Sequence, residues 1–354
     1  MDKKPFIYDL DLGSIIDLLE SWNEPGFRAR QVWQAIYQNL KYSPEDISNI
    51  PKPLRRRLLD EISFSHLEPE VTLSSTGGET SKTLFRLPDG QAIETVLMSY
   101  QRRRTLCIST QVGCGIGCVF CATGQMGFTR NLSSGEIVEQ VIFFARELAS
   151  RGESLTNIVL MGMGEPFHNY NATMKAIARL NHPDGLNLGA RRFTISTVGL
   201  VPMMKRFADK QSQVNLAVSL HAVDDKLRSS MIPINRKYPV DLILQTCRYY
   251  IEKTHRRVTF EWALIHEIND TPEQAILLGH RLQKLKLGET LLCHVNLIPL
   301  NPTKGYSGRG STREHAQAFK AELERMNIPC TIRVRRGIDI HAGCGQLAIL
   351  GSNK

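Results

Sequence analysis

From residue 104 onward the chain repeats one pattern: an apolar run of strand length, a loop, then an amphipathic helical stretch. Runs at 105–110, 157–162, 192–197, 214–220, 257–265 and 292–298 read as strands. Helical stretches follow most of them, such as 133–149, with Ser133 or Ser134 as N-cap and Glu136 in its first turn, and 272–285. Strands that alternate with helices pair in parallel, and parallel sheets collect their chemistry at the carboxyl ends of the strands. The fold class is therefore α/β. Six such units fit a curved, partial barrel, a (β/α)6 arrangement, better than a doubly wound sheet.

The first hundred residues differ. Ile15, Ile16, Leu18 and Leu19 fall at helical spacing, then Phe27, Val32, Trp33, Ile36 and Tyr37, then Leu54, Leu58, Leu59 and Ile62. This predicts a small helical module over 1–70. Its Arg28, Arg30, Lys52, Arg55, Arg56 and Arg57 suit a polyanion as well as they suit a solvated face. Alternating β-formers around Pro88-Asp89-Gly90 predict a linking hairpin within 71–103. The barrel then occupies 104–300 and a basic extension 301–354. A chain of 354 residues exceeds the size at which one core usually keeps growing, which agrees with a large domain carrying an accessory piece.

Charge and cysteine content narrow the function classes. The net charge of +9 favours polyanionic partners. From 301 to the end, nine basic residues (Lys304, Arg309, Arg313, Lys320, Arg325, Arg333, Arg335, Arg336, Lys354) stand against four acidic ones, making this end a candidate nucleic-acid face. No apolar run approaches the roughly 18 to 20 residues of a membrane helix, and Met1-Asp2-Lys3-Lys4-Pro5 does not begin a signal peptide. The expectation is a cytoplasmic protein without a membrane partner, and nothing calls for more than a monomer. Eight cysteines in such a chain point to metal or redox chemistry rather than to a disulfide scaffold.

Cys114-Gly-Ile-Gly-Cys118-Val-Phe-Cys121 carries the sharpest signal. Three thiols spaced four and three apart follow the first barrel strand, and the next cysteine is the distant Cys247. A four-thiolate zinc or iron–sulfur site is poorly served by that spacing. A [4Fe-4S] cluster on three thiolates leaves one iron open, as needed to chelate the amino and carboxylate groups of S-adenosylmethionine. Structural zinc with a remote fourth ligand is the competing reading.

This loop at the end of the first strand resembles that of the radical S-adenosylmethionine superfamily. The segment Arg335-Arg-Gly-Ile-Asp-Ile-His-Ala-Gly-Cys344-Gly-Gln-Leu347 resembles the C-terminal signature of the radical adenine methyltransferases of 23S ribosomal RNA, the RlmN/Cfr family. The likeness extends to the Phe27-Arg-Ala-Arg-Gln-Val-Trp33 helix. In the commonest form of the last motif an Ala precedes the cysteine; Gly343 stands there in this chain, which is expected at most to loosen the loop and not to remove the chemistry.

The resemblance implies Cys114, Cys118 and Cys121 as cluster ligands. It implies Gly164 and Glu165 in Met161-Gly-Met-Gly-Glu-Pro166, Ser196, Ser219, Leu220, His221 and Asn301 as S-adenosylmethionine contacts. It further implies that Cys344 is methylated by one S-adenosylmethionine, and that the reduced cluster cleaves a second to a 5′-deoxyadenosyl radical, two cofactor molecules per turnover. The radical takes hydrogen from the S-methyl group, and the carbon radical adds to the adenine. Cys107 is then the resolving thiol, forming a transient disulfide with Cys344, and Glu94 the proton acceptor. Read alone, Cys107 on a strand is a small buried residue and Glu94 a solvated hairpin residue.

The implied partners are 23S ribosomal RNA, transfer RNA beside the anticodon, a one-electron donor and a disulfide reductant. The implied product is 2-methyladenosine; methylation at C8, the antibiotic-resistance variant, uses the same cysteines. An RNA-binding module with a purely structural metal loop is the reading from another class, and it gives no reason for Cys107, Cys344 and a three-thiolate loop in one chain. Cys247, Cys293 and Cys330 read as structural, and His255, His266 and His294 carry no pattern that raises them above surface or core residues.

Overall fold

A computed structural model of the chain describes residues 4–348. Met1–Lys3 and residues 349–354, Lys354 of the basic count among them, lie outside it. The amino-terminal module consists of α1 (Leu12–Ser21), α2 (Phe27–Tyr37) and α3 (Lys52–Glu61). Asp11 caps α1 by accepting the Ser14 amide. The apolar faces meet through Ile15, Leu19, Val32, Trp33, Ile36, Leu54 and Leu58, all nearly inaccessible. This core is continuous with that of the barrel. Arg146 of the barrel binds the Tyr8 hydroxyl and the carbonyls of Leu40 and Lys41 across the junction.

Three antiparallel strands follow, β1 (Glu68–Ser74), β2 (Thr80–Arg86) and β3 (Ala92–Ser99). The anticipated hairpin is β2–β3; β1 was not legible because all seven of its residues are exposed and it carries Pro69 with a register irregularity beside it. Exposed, charged and proline-bearing strands mark protected sheet edges and lack alternation. These strands are no separate linker: β3 pairs with β4 (Arg104–Cys107), the first barrel strand, so they prolong the main sheet.

After β4 come the short pair β5 (Gln111–Gly113) and β6 (Phe128–Asn131), with α4 (Ala122–Gln125) between them. The βα series then runs α5 (Ser134–Ala149), β7 (Asn157–Leu160), α6 (Tyr170–Asn181), β8 (Phe193–Thr197), α7 (Val201–Asp209), β9 (Asn215–Ser219), α8 (Asp225–Met231), α9 (Val240–Thr254), β10 (Val258–Leu264) and α10 (Pro272–Gln283). A small hairpin, β11 (Lys286–Leu287) with β12 (Thr290–Leu291), precedes β13 (Cys293–Pro299), α11 (Arg313–Arg325) and β14 (Cys330–Ile332). The six anticipated barrel strands are all present and parallel in the order β4-β7-β8-β9-β10-β13. A seventh, the three-residue β14, adds to the edge of β13, too short for its apolar pattern to register.

The described part of the sheet ends at β14 on one side and β1 on the other. The segment 333–348 spans the opening between them. Asp339 accepts from the Thr76 amide and hydroxyl, Arg336 pairs with Glu79, Lys82 donates to the His341 carbonyl, and Ala348 donates to Glu94. The basic C-terminal end is accordingly less of a surface than its composition implies. Arg333 is half-buried with the Glu261 carboxylate charge near it, while Lys320 and Arg325 pair with Glu324 and Glu322. Lys304, Arg309, Arg313 and Arg335 are exposed. In the helical module Arg30 and Arg56 are exposed, whereas Arg28 and Arg55 bind carbonyls of the neighbouring loop. No helix among the described residues is long and apolar enough to cross a membrane.

Candidate active site

The carboxyl ends of β7, β8, β9, β10 and β13, the 114–123 loop and the 344–347 segment enclose a cavity of about 1040 Å³, its open mouth included. Cys114, Cys118, Cys121, Gly164, Glu165, Ser196, Ser219, His221, Asn301 and Cys344 line it together. Leu220 is fully buried with its carbonyl bound to Arg228, and it, Cys107 and Glu94 lie outside the cavity lining.

Close backbone approach forms the floor. A Cβ on Gly162 would stand 2.6 Å from the Ile108 carbonyl oxygen, and one on Gly164 would meet Gln111 at 2.6 Å. Gly164 has φ +104, which favours glycine. The Glu165 carboxylate faces its own chain: Oε1 accepts the Phe167 amide at 2.9 Å and Oε2 the Val198 amide at 2.8 Å. Burial pushes its pKa up to about 7 against these donors. Ser196 and Ser219, on adjacent strands, have hydroxyls 3.3 Å apart. His221 sits at φ +60 and its Nδ1 accepts the Ala263 amide at 2.8 Å. Burial, with the Arg228 charge adding, pushes its pKa down to about 3, so the ring is neutral.

Arg228 organises the wall behind this site, and no sequence motif singled it out. It is fully buried and donates to the carbonyls of Leu220, Val198 and Ser219 and to Asn235 Oδ1, at 2.7 to 3.0 Å. One planar cation thereby gathers the strand-end carbonyls of β8 and β9.

Cys344 is exposed, but to the cavity it lines, which is why an accessible thiol still carries a strong burial effect. The surrounding walls hold its pKa up at about 11, against the nearby Arg333 charge. Cys107 is half-buried; burial and the Cys344 sulfur push it up to about 12, again opposed by Arg333. Arg333 is thus shared by both thiols and stabilises either as thiolate. Its role and that of Glu261, a carboxylate in the cavity wall, were not legible from sequence because both depend on a crossing of distant segments. Glu94 is 3% exposed, not solvated as a hairpin residue would be. It forms a 2.8 Å ion pair with Lys82 and accepts the Ala348 amide at 3.0 Å; burial raises its pKa despite both. Gly343 does not loosen its loop: a Cβ there would lie 2.6 Å from Asn301 Nδ2 and 2.7 Å from Gln346 Oε1, and its amide donates to that same oxygen.

The residues fit a [4Fe-4S] cluster with S-adenosylmethionine. The three thiols line the cavity together, yet they are not gathered within the 4.8 Å spread that marks a single-ion site among the described residues. Asn301 and Glu261 line the same cavity, and Asn301 Oδ1 and Glu261 Oε2 are buried without partners. Buried acceptors of this kind call for donors from a ligand. Cys247 and Cys293 are fully buried and Cys330 nearly so, away from the cavity lining.

Comparison with known proteins agrees with this geometry. The radical SAM superfamily description matches residues 108–278, and that of the ribosomal RNA large subunit methyltransferase N-terminal domain matches residues 7–63. A probable dual-specificity RNA methyltransferase RlmN of Chloroflexus aurantiacus is 50% identical over 97% of this chain and 92% of its own length. The dual-specificity RNA methyltransferase RlmN 1 of Myxococcus xanthus is 46% identical over 98% of this chain and 95% of its own. The crystal structure of a radical SAM methyltransferase from Sphaerobacter thermophilus superposes with a TM-score of 0.93 at 48% identity, covering 97% of this chain and 99% of that one. With likeness of this degree running through both its helical module and its barrel, the chain belongs to the RlmN family of radical S-adenosylmethionine RNA methyltransferases.

Proposed function

We propose that this enzyme methylates C2 of an adenine in 23S ribosomal RNA, and of an adenine beside the anticodon in transfer RNA, through a methylated Cys344. The cytoplasm is where these substrates lie. The observation that carries the reading is the convergence of Cys344 on the cavity that Cys114, Cys118 and Cys121 line, with Cys107, Arg333 and Glu94 grouped behind it.

When bound, the cluster and S-adenosylmethionine supply a methyl group and, from a second cofactor molecule, a hydrogen-abstracting radical. Cys114, Cys118 and Cys121 would hold the cluster. The backbone at Gly164 and Glu165, the hydroxyls of Ser196 and Ser219, the Leu220 backbone, the neutral His221 ring and Asn301 would hold the cofactor. Cys344 carries the methyl group as a thioether; with one hydrogen atom abstracted, its methylene carbon bonds to adenine C2 and joins protein to RNA, and the unpaired electron left on the ring passes to the oxidised form of the one-electron carrier that serves the enzyme. Glu94, with a raised pKa, takes the ring proton, and Lys82 stabilises the carboxylate that does so. The Cys107 thiolate, favoured by Arg333, attacks the Cys344 sulfur. The carbon–sulfur bond breaks with its electron pair going to the departing carbon, which takes up a proton and becomes methyl. The disulfide that remains is reduced by an external thiol, and a one-electron donor reduces the cluster. A single unstacked base is what such a cavity can admit, as in RNA recognition generally.

The test is mass spectrometry of nucleosides from 23S ribosomal RNA and from transfer RNA after anaerobic incubation with reconstituted enzyme, S-adenosylmethionine and a reductant, beside Cys344→Ala. 2-Methyladenosine from the unaltered enzyme alone is expected. 8-Methyladenosine would overturn the C2 assignment while keeping the cysteine chemistry, and product from Cys344→Ala would overturn the protein-bound methyl.

A further inference from the structure

Away from the cavity, the loop after β10 and the start of α11 bring together His266, Asp270 and His315, whose donor atoms all lie within 4.8 Å of one another. Asp270 Oδ2 is 3.2 Å from His315 Nδ1 and 3.5 Å from His266 Nδ1. Two donors bound at 2.0 to 2.2 Å with tetrahedral angles stand about 3.3 Å apart, so both histidine–carboxylate separations already match those of ligands around one ion. The Asp270 side chain is completely buried, whereas His266 and His315 are partly open, leaving an entry path. His266 Nδ1 is buried without a hydrogen-bond partner although it faces this carboxylate. A buried ring nitrogen left without a hydrogen bond beside a carboxylate is a position that a ligand can satisfy.

The surroundings have the form of an outer shell. The Ser311 hydroxyl donates to Asp270 Oδ2 at 2.6 Å and the Glu267 amide to Oδ1 at 2.9 Å, fixing the carboxylate. The His266 amide donates to the Arg309 carbonyl, and Thr312 caps α11 by accepting the His315 amide. Hydrogen bonds of this sort orient metal ligands. Two imidazoles and one carboxylate select zinc and its transition-metal neighbours over magnesium or calcium.

We propose that His266, Asp270 and His315 bind one zinc-class divalent ion, a second metal centre separate from the cysteine loop. Its position suggests a clamp. The amides of Leu300 and Ser311 both donate to the Leu264 carbonyl, so residues 300–311 form a closed loop whose base is this cluster. That loop carries Asn301 into the cavity and Tyr306 against the apolar residues beside it. An ion joining the β10 loop to α11 fixes the 311 end of it.

The test uses the cluster-loaded enzyme, in which the cysteine loop is occupied, freed of loose metal with a weak chelator. It is titrated with Zn2+ against a chromophoric competitor, zinc and iron being counted together. The unaltered enzyme is expected to retain one zinc per chain and to melt at a higher temperature with it. His266→Gln and His315→Gln each weaken binding on the order of tenfold or more, and the double variant retains none, while iron content and zinc-free melting stay as in the unaltered enzyme. In crystals grown with zinc, an anomalous peak among the three side chains is expected. Failure of the unaltered enzyme to retain zinc, or equal retention by the double variant, which would locate the ion at thiols elsewhere, overturns the proposal.

Discussion

Asn301 Nδ2 donates a hydrogen bond of 3.1 Å to the backbone carbonyl of Cys344, joining the end of the last long barrel strand to the segment that crosses the barrel mouth. The same side chain turns its unpartnered Oδ1 toward the cavity. One residue thus positions the Cys344 loop and offers an acceptor to a ligand. Asn301→Ala is expected to cost about 1 kcal/mol of stability and to increase alkylation of Cys344 by iodoacetamide, with cluster content unchanged. Labelling at the original rate would show that the hydrogen bond does not hold the loop.

The roles proposed for the two cysteines beside Arg333 can be separated by experiment. Cys107→Ala is expected to accumulate enzyme covalently joined to RNA, visible as a retarded band on a denaturing gel, because release is blocked after the carbon–carbon bond has formed. Glu94→Gln should trap the same species. Cys344→Ala should give none. A band from the Cys344 variant would remove Cys344 as the point of attachment.

Lys82 and Glu94 form an ion pair whose side chains are 4% and 5% exposed. Removing one partner strands the other charge, so Lys82→Met is expected to destabilise the fold by about 3 to 5 kcal/mol at neutral pH. Urea unfolding followed by circular dichroism measures this. A loss under about 1 kcal/mol would mean that Glu94 is satisfied without the lysine.

His221 gives stability a pH dependence of known sign. Its pKa is about 3 when folded and 6.5 when unfolded, so between these values the unfolded chain binds one more proton. The contribution of His221 is fully present above pH 6.5 and declines as pH falls toward 3, by about 1.4 kcal/mol per pH unit. His221→Asn should flatten the unfolding free energy between pH 6.5 and 5 relative to the unaltered protein. Parallel curves would show that another group sets the slope.

Gly162 is packed at 2.6 Å from the Ile108 carbonyl at the position a Cβ would take. Backbone atoms cannot rotate away, so Gly162→Ala forces β4 and β7 apart at the cavity floor. A loss of about 1 to 3 kcal/mol is expected, together with weaker S-adenosylmethionine binding by calorimetry. Unchanged affinity would place the cofactor away from this floor.

The barrel strands were legible because each carries buried apolar residues over a strand's length, as Phe193 and Ile195 do in β8, and most are followed by a helical stretch. The cysteine loop was legible because its three thiols are close in sequence. Strand β1 was not, since a fully exposed edge strand has no apolar face to show. Glu94 was misread as solvated because its burial is created by Lys82 and by Ala348, 254 positions away. Arg228 reads in sequence as one more basic residue, and only the folded chain brings four acceptors around its guanidinium.

Local order in the chain determined the α/β class, the six main strands, the three-thiol loop and the family signature around Cys344, for these depend on spacing and on periodic burial. The tertiary structure decided what stands opposite what. It turned Arg333 inward toward Glu261 and the two thiols, packed Gly343 against Asn301, closed residues 300–311 over the His266, Asp270 and His315 cluster, and carried 333–348 across the open barrel. Those relationships join residues dozens to hundreds of positions apart, and no local propensity encodes such a distance; they exist only once burial of the shared core has fixed the crossing of the segments.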